Sequence, residues 1–475
     1  MYNKCNHIIL IIFSIQLTVL FSANTSQLEL PRIEEYKLDN GMRILISPNY
    51  DYPTVYCHLF INSGSIYDTL YGGSLSRMMY WDMFDGTAKY PTKTIIKEKI
   101  RELGDDGGRL STRRLDDVEC EIGSYFLKED IKPALELYAE IIQNPTFPMK
   151  GSFWEKMIVK LLPRGNFYST WNLSDMHLYD LYINLKTSIH PKFSKLKNIK
   201  RQNLQNWHKS IIQPEKTTLM ITGDVNYLYV KKIINDYFGD WKSLTAFPEK
   251  PKYKININGA SGNKIRFVNI INQPDAEIRI VLRSASIDED WYFSSELAKT
   301  VFGWGNLGRL ATIHEKLNKY GKLKQKSSRT LPFNWTRIEG NINYNNLSTF
   351  YELITSEFNK MSSRSISEGD LISAKKIRSN DIKSNLNEPE AYTKFIQRAY
   401  NINGFSLEKI EASFDKINNV SLDEINNAAS KIYDPNNFIL LIMGNQDSCA
   451  TFLKQFDDVE YYEQAEELRA SASSP

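Results

Sequence analysis

Histidine is scarce enough in this chain to be checked residue by residue for metal chemistry. The six are His7, His58, His177, His190, His208 and His314. None stands three or four residues from another, so no helix presents two imidazoles to one ion. His314-Glu315 opens like HExxH, but residue 318 is Asn and the pattern fails. Nucleophile and nucleotide chemistry fare no better: the chain holds no GxSxG elbow and no Walker loop. Gly303 to Gly308 spells GxGxxG by letter, yet it follows a helical run rather than a strand, so the context for a dinucleotide is missing. Asp116, Asp117, Glu119 and Glu121 crowd near a strand and read as a solvated strand face rather than an acid/base pair. Cys5, Cys57, Cys120 and Cys449 share no CxxC spacing; Cys5 leaves with the leader described below, and the other three allow at most one bridge.

The elements that would position any site repeat along the chain. Pro53 begins PTVYCHLFINSG and Pro274 begins PDAEIRIVLRSA; Pro214 begins PEKTTLMITG and Pro435 begins PNNFILLIMG. One fixed offset relates both pairs, which points to two homologous units. Alternating apolar residues predict strands over 44–47, 55–61, 118–126, 217–222 and 278–283. Helical periodicity appears over 131–143, 227–238, 293–301 and 347–361. Strands and helices mixed in each half make an α+β layer architecture with helices on one face of a sheet.

Composition bounds the rest. The 475 residues carry 59 Lys+Arg against 56 Asp+Glu, a net +3 with no large one-signed block, so bulk charge does not hold this chain to nucleic acid. Residues 1–26 run from Lys4 through an apolar Ile8–Leu20 to Ser22, Ala23, Asn24, Thr25 and Ser26, the order of a secretory signal peptide. The expectation is an exported chain, periplasmic or secreted, without stable membrane insertion after cleavage; an uncleaved anchor is the alternative. The expected layout is one domain at 30–246, a linker at 247–263, a second domain at 264–455 and an acidic, Ser-rich tail at 456–475.

Several ordered strings then resemble the pitrilysin/insulinase-type (M16) zinc peptidases, in particular the short-chain branch of the mitochondrial processing peptidase. They are LDNGMRILI (38–46), Ser63-Gly64-Ser65, GGSLSRMMYWDMFDGTAKYP (72–91), Glu102-Leu103-Gly104, IIQNPTF (141–147), ITGDV (221–225), YFGDW (237–241) and NLGRL (306–310). The resemblance implies two homologous α/β-roll domains, each an antiparallel-rich sheet with helices on one face, forming half of a clamshell. It also implies an active centre: two His and a distant Glu on zinc, with the Glu of an HxxEH helix activating water.

Anchored on Phe84-Asp85-Gly86-Thr87, the HxxEH positions fall on Arg77, Tyr80 and Trp81; aligned on IIQNP, the distant Glu falls on Leu162. Arg77 offers no lone pair and repels a cation, Trp81 has no acceptor nitrogen, and Tyr80 is a poor general base near pH 7. The expectation is a chain with no metal, no cofactor and no catalytic residue, leaning away from enzyme activity. The resemblance then implies a non-catalytic, peptide-chamber-forming subunit, paired with an active zinc-containing chain and holding a peptide substrate jointly with it. Gly303, Gly305, Gly308 and Arg309 are its candidate substrate-binding residues, standing where the processing peptidase's silent subunit carries a longer glycine-rich loop. A tight turn is the other reading of those glycines. A structural scaffold with no role in proteolysis is the alternative function.

Overall fold

Alternating apolar runs become two six-stranded sheets. The structure, a computed structural model, describes residues 31–148, 199–250, 262–397 and 407–463, with breaks at 52, 69, 71–73, 105–110, 116–118, 287–288, 306–307, 318–322 and 329–334. Most of 174–182 and residue 399 are also described. The leader, Leu162 and most of the expected linker lie outside these residues.

The first sheet holds β1 (Glu34–Lys37), β2 (Arg43–Pro48), β3 (Thr54–Ile61), β4 (Ser111–Leu115), β5 (Cys120–Leu127) and β6 (Thr217–Gly223), in the order β1-β2-β6-β3-β5-β4. The second holds β7 (Lys264–Asn269), β8 (Ala276–Arg283), β9 (Lys324–Ser328), β10 (Trp335–Ile342), β11 (Ile439–Gly444) and β12 (Glu460–Glu463), in the order β12-β7-β11-β8-β10-β9. The repeated strings occupy matching places: β3 and β8 each run antiparallel to both neighbours, while β6 and β11 each pair in parallel with β2 and β7. The copies differ at one edge. β1 is antiparallel to β2, whereas β12 lies parallel to β7.

β12 comes from the stretch read as an acidic, Ser-rich tail. Its residues are held by side chains: Arg266 donates to Glu460 at 2.6 Å and lies 4.4 Å over the Tyr462 ring, and Asn269 donates to Glu463 at 2.9 Å. An acidic segment that meets a buried arginine on the neighbouring strand gains pairing that composition alone does not reveal.

One face of the first sheet packs under α1 (Ser74–Asp82), α2 (Ile131–Gln143), α3 (Arg201–Ile211) and α4 (Tyr227–Phe238). Ile44, Val55, Leu59, Leu219, Leu135 and Ile234 are all fully buried in one cluster there. Each such aliphatic side chain contributes about 1.5–3 kcal/mol by leaving water. The helix boundaries follow from local chemistry: Asn226 accepts from Tyr229 N at 3.0 Å and caps α4. Asn40, in the turn before β2, donates to Phe238 O at 2.7 Å and Trp241 O at 3.0 Å, so the LDNG and YFGDW strings meet. Gly41 closes that turn at φ +86°, a conformation strained for residues with a side chain.

The second half supplies α5 (Tyr292–Gly303), α6 (Arg309–Lys316), α7 (Leu347–Ser362), α8 (Glu368–Asn387), α9 (Pro389–Gln397) and α10 (Leu422–Ile432). Here the molecule departs from a simple pair of units. All seven residues of β6 and all six of β11 are buried, so both faces of each sheet need cover. The cover is exchanged. α9, from the second half, lies on the free face of the first sheet, where Thr393 Oγ1 donates to Thr222 Oγ1 at 3.0 Å. Leu178, Leu181 and Tyr182, from the first half, pack on Val268, Val281, Ile439, Leu441 and Met443 of the second sheet. Among the described residues, no helix is long and apolar enough to cross a membrane.

His208 ties α3 to the end of α2. Its Nε2 donates to Ile142 O at 2.8 Å, and the Phe147 ring stands edge-on 5.7 Å away. Burial lowers its pKa from 6.5 to about 4. Between those values the unfolded imidazole takes a proton that the folded one refuses. Stability present above pH 6.5 should therefore fall as the pH drops through 4, by an amount on the order of 3 kcal/mol from this residue. His208→Gln keeps a donor and should flatten the acid limb of stability against pH, read by urea unfolding at pH 7, 5.5 and 4.5; an unchanged limb would remove His208 as its cause.

Candidate functional site

α1 carries the three positions on which the sequence argument turns, and it is pinned at both ends. The buried Asp68 carboxylate accepts from Leu75 N at 2.7 Å and Ser76 N at 3.2 Å, satisfying two of the helix's open N–H groups with a favourable charge. Trp207 Nε1 donates to Ser76 Oγ at 2.9 Å. Beyond the last turn, Thr146 N donates to Gly86 O at 2.9 Å and Ala88 N to Asn144 O at 3.0 Å, joining the FDGTAKYP and IIQNPTF strings. A side chain at Gly86 would meet Pro91 O at 2.8 Å, so only glycine fits that crossing.

Arg77 and Trp81 share the outward face of α1, one turn apart, with the guanidinium carbon 6.0 Å from the indole centroid. Trp81 is 49% exposed. Tyr80 points the other way and is fully buried: its hydroxyl hydrogen-bonds Ser63 Oγ and donates to Ser63 O at 3.1 Å. Burial holds the phenol well above its usual pKa of 10, with the nearby Cys120 thiol acting in the same direction. The structure brings Arg77, Tyr80 and Trp81 onto one helix. Leu162 lies outside the described residues.

Of the carboxylates read as a solvated strand face, Asp116 and Asp117 lie outside the described residues, and Glu119 and Glu121 are buried. Glu119 is 1% and Glu121 5% exposed, beneath α9. Glu121 Oε1 lies 2.9 Å from His58 Nδ1, and Gln397 Nε2 donates to Glu119 Oε1 at 2.6 Å. The misreading has a physical cause: the helix that covers these groups comes from the other half of the chain, 278 residues away at Gln397. Gly123 stands opposite His58 across the ladder, and a Cβ there would lie 2.5 Å from the imidazole Nδ1.

A second buried polar group occupies the matching place in the second half. Lys299 Nζ, on α5, donates to Ser284 Oγ at 2.9 Å and pairs with Glu296; Arg378 donates to Glu296 Oε2 at 3.1 Å. Ser284 is the repeat of Ser63, so Lys299 takes the place that Tyr80 takes in the first half. The only sequence signal for this was the Ser63/Ser284 match.

Gly303 ends α5, Gly305 adopts φ +56°, and Gly308 precedes α6. A Cβ at Gly303 would lie 2.5 Å from the Gln325 side chain, and one at Gly308 would lie 2.8 Å from Phe302 O. The glycines thus make a tight turn. Arg309 donates to Ser365 Oγ at 2.7 Å and Ser365 O at 3.0 Å and pairs with Glu357, beside a cleft of about 330 Å³ between α6 and α7. Cys57, Cys120 and Cys449 are buried free thiols; burial pushes Cys449 up to about 12 and Cys57 higher still.

The donor set on α1 does not suit zinc. A guanidinium and an indole present no lone pair, and the one phenol is turned into the core, away from that face. Among the described residues, no group of three or more His, Cys, Asp or Glu could hold a metal ion.

Fold and sequence point the same way: residues 198–377 match the family described as the peptidase M16 inactive domain. It resembles the beta subunit of the mitochondrial-processing peptidase from Dictyostelium discoideum, 22% identical over 286 residues, a match spanning 58% of this chain and 58% of that one. A protease from Helicobacter pylori has the same fold at a TM-score of 0.75 and 14% identity, over 87% of this chain and all of that one. The periplasmic protease PqqL from Escherichia coli superposes at a TM-score of 0.67 and 15% identity, over 94% of this chain but 51% of its own.

Two substitutions test the packing of these buried groups. Tyr80→Phe should cost about 1–3 kcal/mol by leaving the Ser63 oxygens without their phenol donor. Tyr80 holds its proton above pH 10 while an unfolded tyrosine loses it, so stability should fall as the pH rises past 10, and less steeply in Tyr80→Phe. Thermal melts between pH 8 and 11 measure both. Gly123→Ala should cost about 1–3 kcal/mol by crowding His58, whereas Gly369→Ala, whose Cβ meets only Ser367 Oγ at 3.7 Å, should be neutral or mildly stabilising. Equal effects of the two glycine changes would sink this account.

Proposed function

We propose that this chain is a zinc-free M16-type protein that forms one wall of a peptide chamber and works paired with a second M16 chain that carries the zinc. The observation that carries the reading is the face of α1, where Arg77 and Trp81 pack on each other and Tyr80 is locked to Ser63. Zinc hydrolysis needs three protein donors and an open position for water, and this helix contributes none. The pairing is supported by the match to PqqL, in which a region with this chain's fold makes up about half of one chain. The apolar leader at residues 8–20 and the periplasmic setting of that relative support export. The same reading places two duplicated units at 30–246 and 264–455, with the helix exchange crossing between them.

In this role the chain's own residues hold and exclude rather than react. Buried ladders in both sheets keep the walls rigid, and peptide cleavage belongs to the partner. The isolated chain should contain no stoichiometric zinc by elemental analysis and should cleave no peptide. Captured from native extract, it should bring down a chain of similar length containing zinc, and the pair should cleave peptides in a chelator-sensitive way. One equivalent of zinc in the isolated chain would overturn the argument from α1. Neither zinc nor such a partner would leave a scaffold.

A further inference from the structure

The second half holds a cleft that the proposed function does not use. It lies between α6 and α7, and one row of residues from each helix lines it: positions 309, 312, 313 and 316 of α6, and 353, 356, 357 and 360 of α7. Each row follows the i, i+3, i+4, i+7 spacing that gathers side chains on one face of a helix. At about 330 Å³ the cleft is of a size that takes a small molecule.

One end of it is fixed by the fold. Arg309, held by Ser365 and lying 3.6 Å from Asp370, donates to Glu357 Oε1 at 3.3 Å, and Lys360 donates to Glu357 Oε2 at 3.0 Å. Cations thus engage both oxygens of Glu357, the one carboxylate in the lining among the described residues. The groups left unengaged can all donate. Lys316 is exposed and makes no hydrogen bond or ion pair among the described residues, and the exposed Thr312 and Ser356 hydroxyls make none either. An ammonium carries three N–H donors and no acceptor, so Lys360 keeps donors to offer beyond Glu357. Arg309, Lys316 and Lys360 against Glu357 and Asp370 leave a positive excess. Ile313, which is buried, and Leu353, which is half-buried, give the wall an apolar strip.

We infer that this cleft binds a small organic phosphate monoester, its oxygens held by Lys316, Lys360, Thr312 and Ser356 and its organic body resting on Ile313 and Leu353. A phosphate monoester brings close to two negative charges and three strong acceptor oxygens at neutral pH. Lysines from two facing helices and two hydroxyls answer that number of acceptors, and a lysine acts on phosphate as a point charge that needs no bidentate geometry. A carboxylate brings one charge and two oxygens, and leaves donors unmet. The inference is independent of the pairing with a zinc-bearing chain, since every residue in it belongs to the second half and α1 belongs to the first.

Isothermal titration calorimetry on the full chain with phenyl phosphate tests it, with benzoate, phenol and inorganic phosphate as comparators. Phenyl phosphate should bind at one site. Each comparator should bind more weakly: benzoate for want of charge, phenol for want of an anion, and inorganic phosphate for want of a body. Lys316→Gln, at a position the fold does not use, should weaken phenyl phosphate about tenfold, the scale of one lost hydrogen bond to a charged group, with the melting temperature of the ligand-free protein unchanged. Lys360→Gln gives a second reading, because its exposed pair with Glu357 contributes little to the fold. Lys97→Gln, an exposed lysine on the first-half helix Lys93–Glu102, should leave the affinity as it is. No binding of phenyl phosphate, equal binding of benzoate or inorganic phosphate, full affinity in both cleft variants, or an equal loss in Lys97→Gln would each overturn the inference.

Discussion

The covering of the two inner strands on both faces governs everything else in this molecule. β6 and β11 are buried along their whole length, so each sheet needs cover on both faces. Each half therefore lends cover to the other. Once α9 lies across the first sheet, Thr222, Glu119 and His58 lose contact with water, and each must find a partner in protein. Thr393, Gln397 and Glu121 are those partners. The buried polar network follows from the exchange and depends on it.

The two halves solve the same packing problem with different chemistry. In each copy a serine follows the strand of the first repeat string, Ser63 after β3 and Ser284 after β8, and a helix side chain reaches down to it. In one copy that side chain is an uncharged phenol, Tyr80; in the other it is an amine, Lys299, neutralised by Glu296 and backed by Arg378. A neutral group needs only its hydrogen bond, while a buried charge needs a partner of opposite sign and a network around it. Both halves thus commit this place to groups that hold the fold.

Local pattern made much of this legible from the sequence. The helices at 131–143 and 227–238 appear with the predicted limits, because their apolar stripes and polar ends agree. The strands at 44–47, 55–61, 217–222 and 278–283 appear within one or two residues of expectation. The repeat announced two sheets of one design. What stayed hidden depends on partners far along the chain. Glu119 and Glu121 look solvated until α9 covers them, and Glu460–Glu463 looks like a loose tail until Arg266 is found beside it. Short-range periodicity carries no information about contacts of that range.

The exchange also has a consequence for how the chain is made. Thr222 waits for Thr393, which is 171 residues further on. At a synthesis rate of about 5–20 residues per second, that interval is roughly 10–30 s. Throughout it the first sheet is complete in sequence yet lacks α9 over the face that carries Thr222. A protein assembled this way finishes its first half last, and the nascent chain has to be shielded or kept unfolded until α9 has emerged.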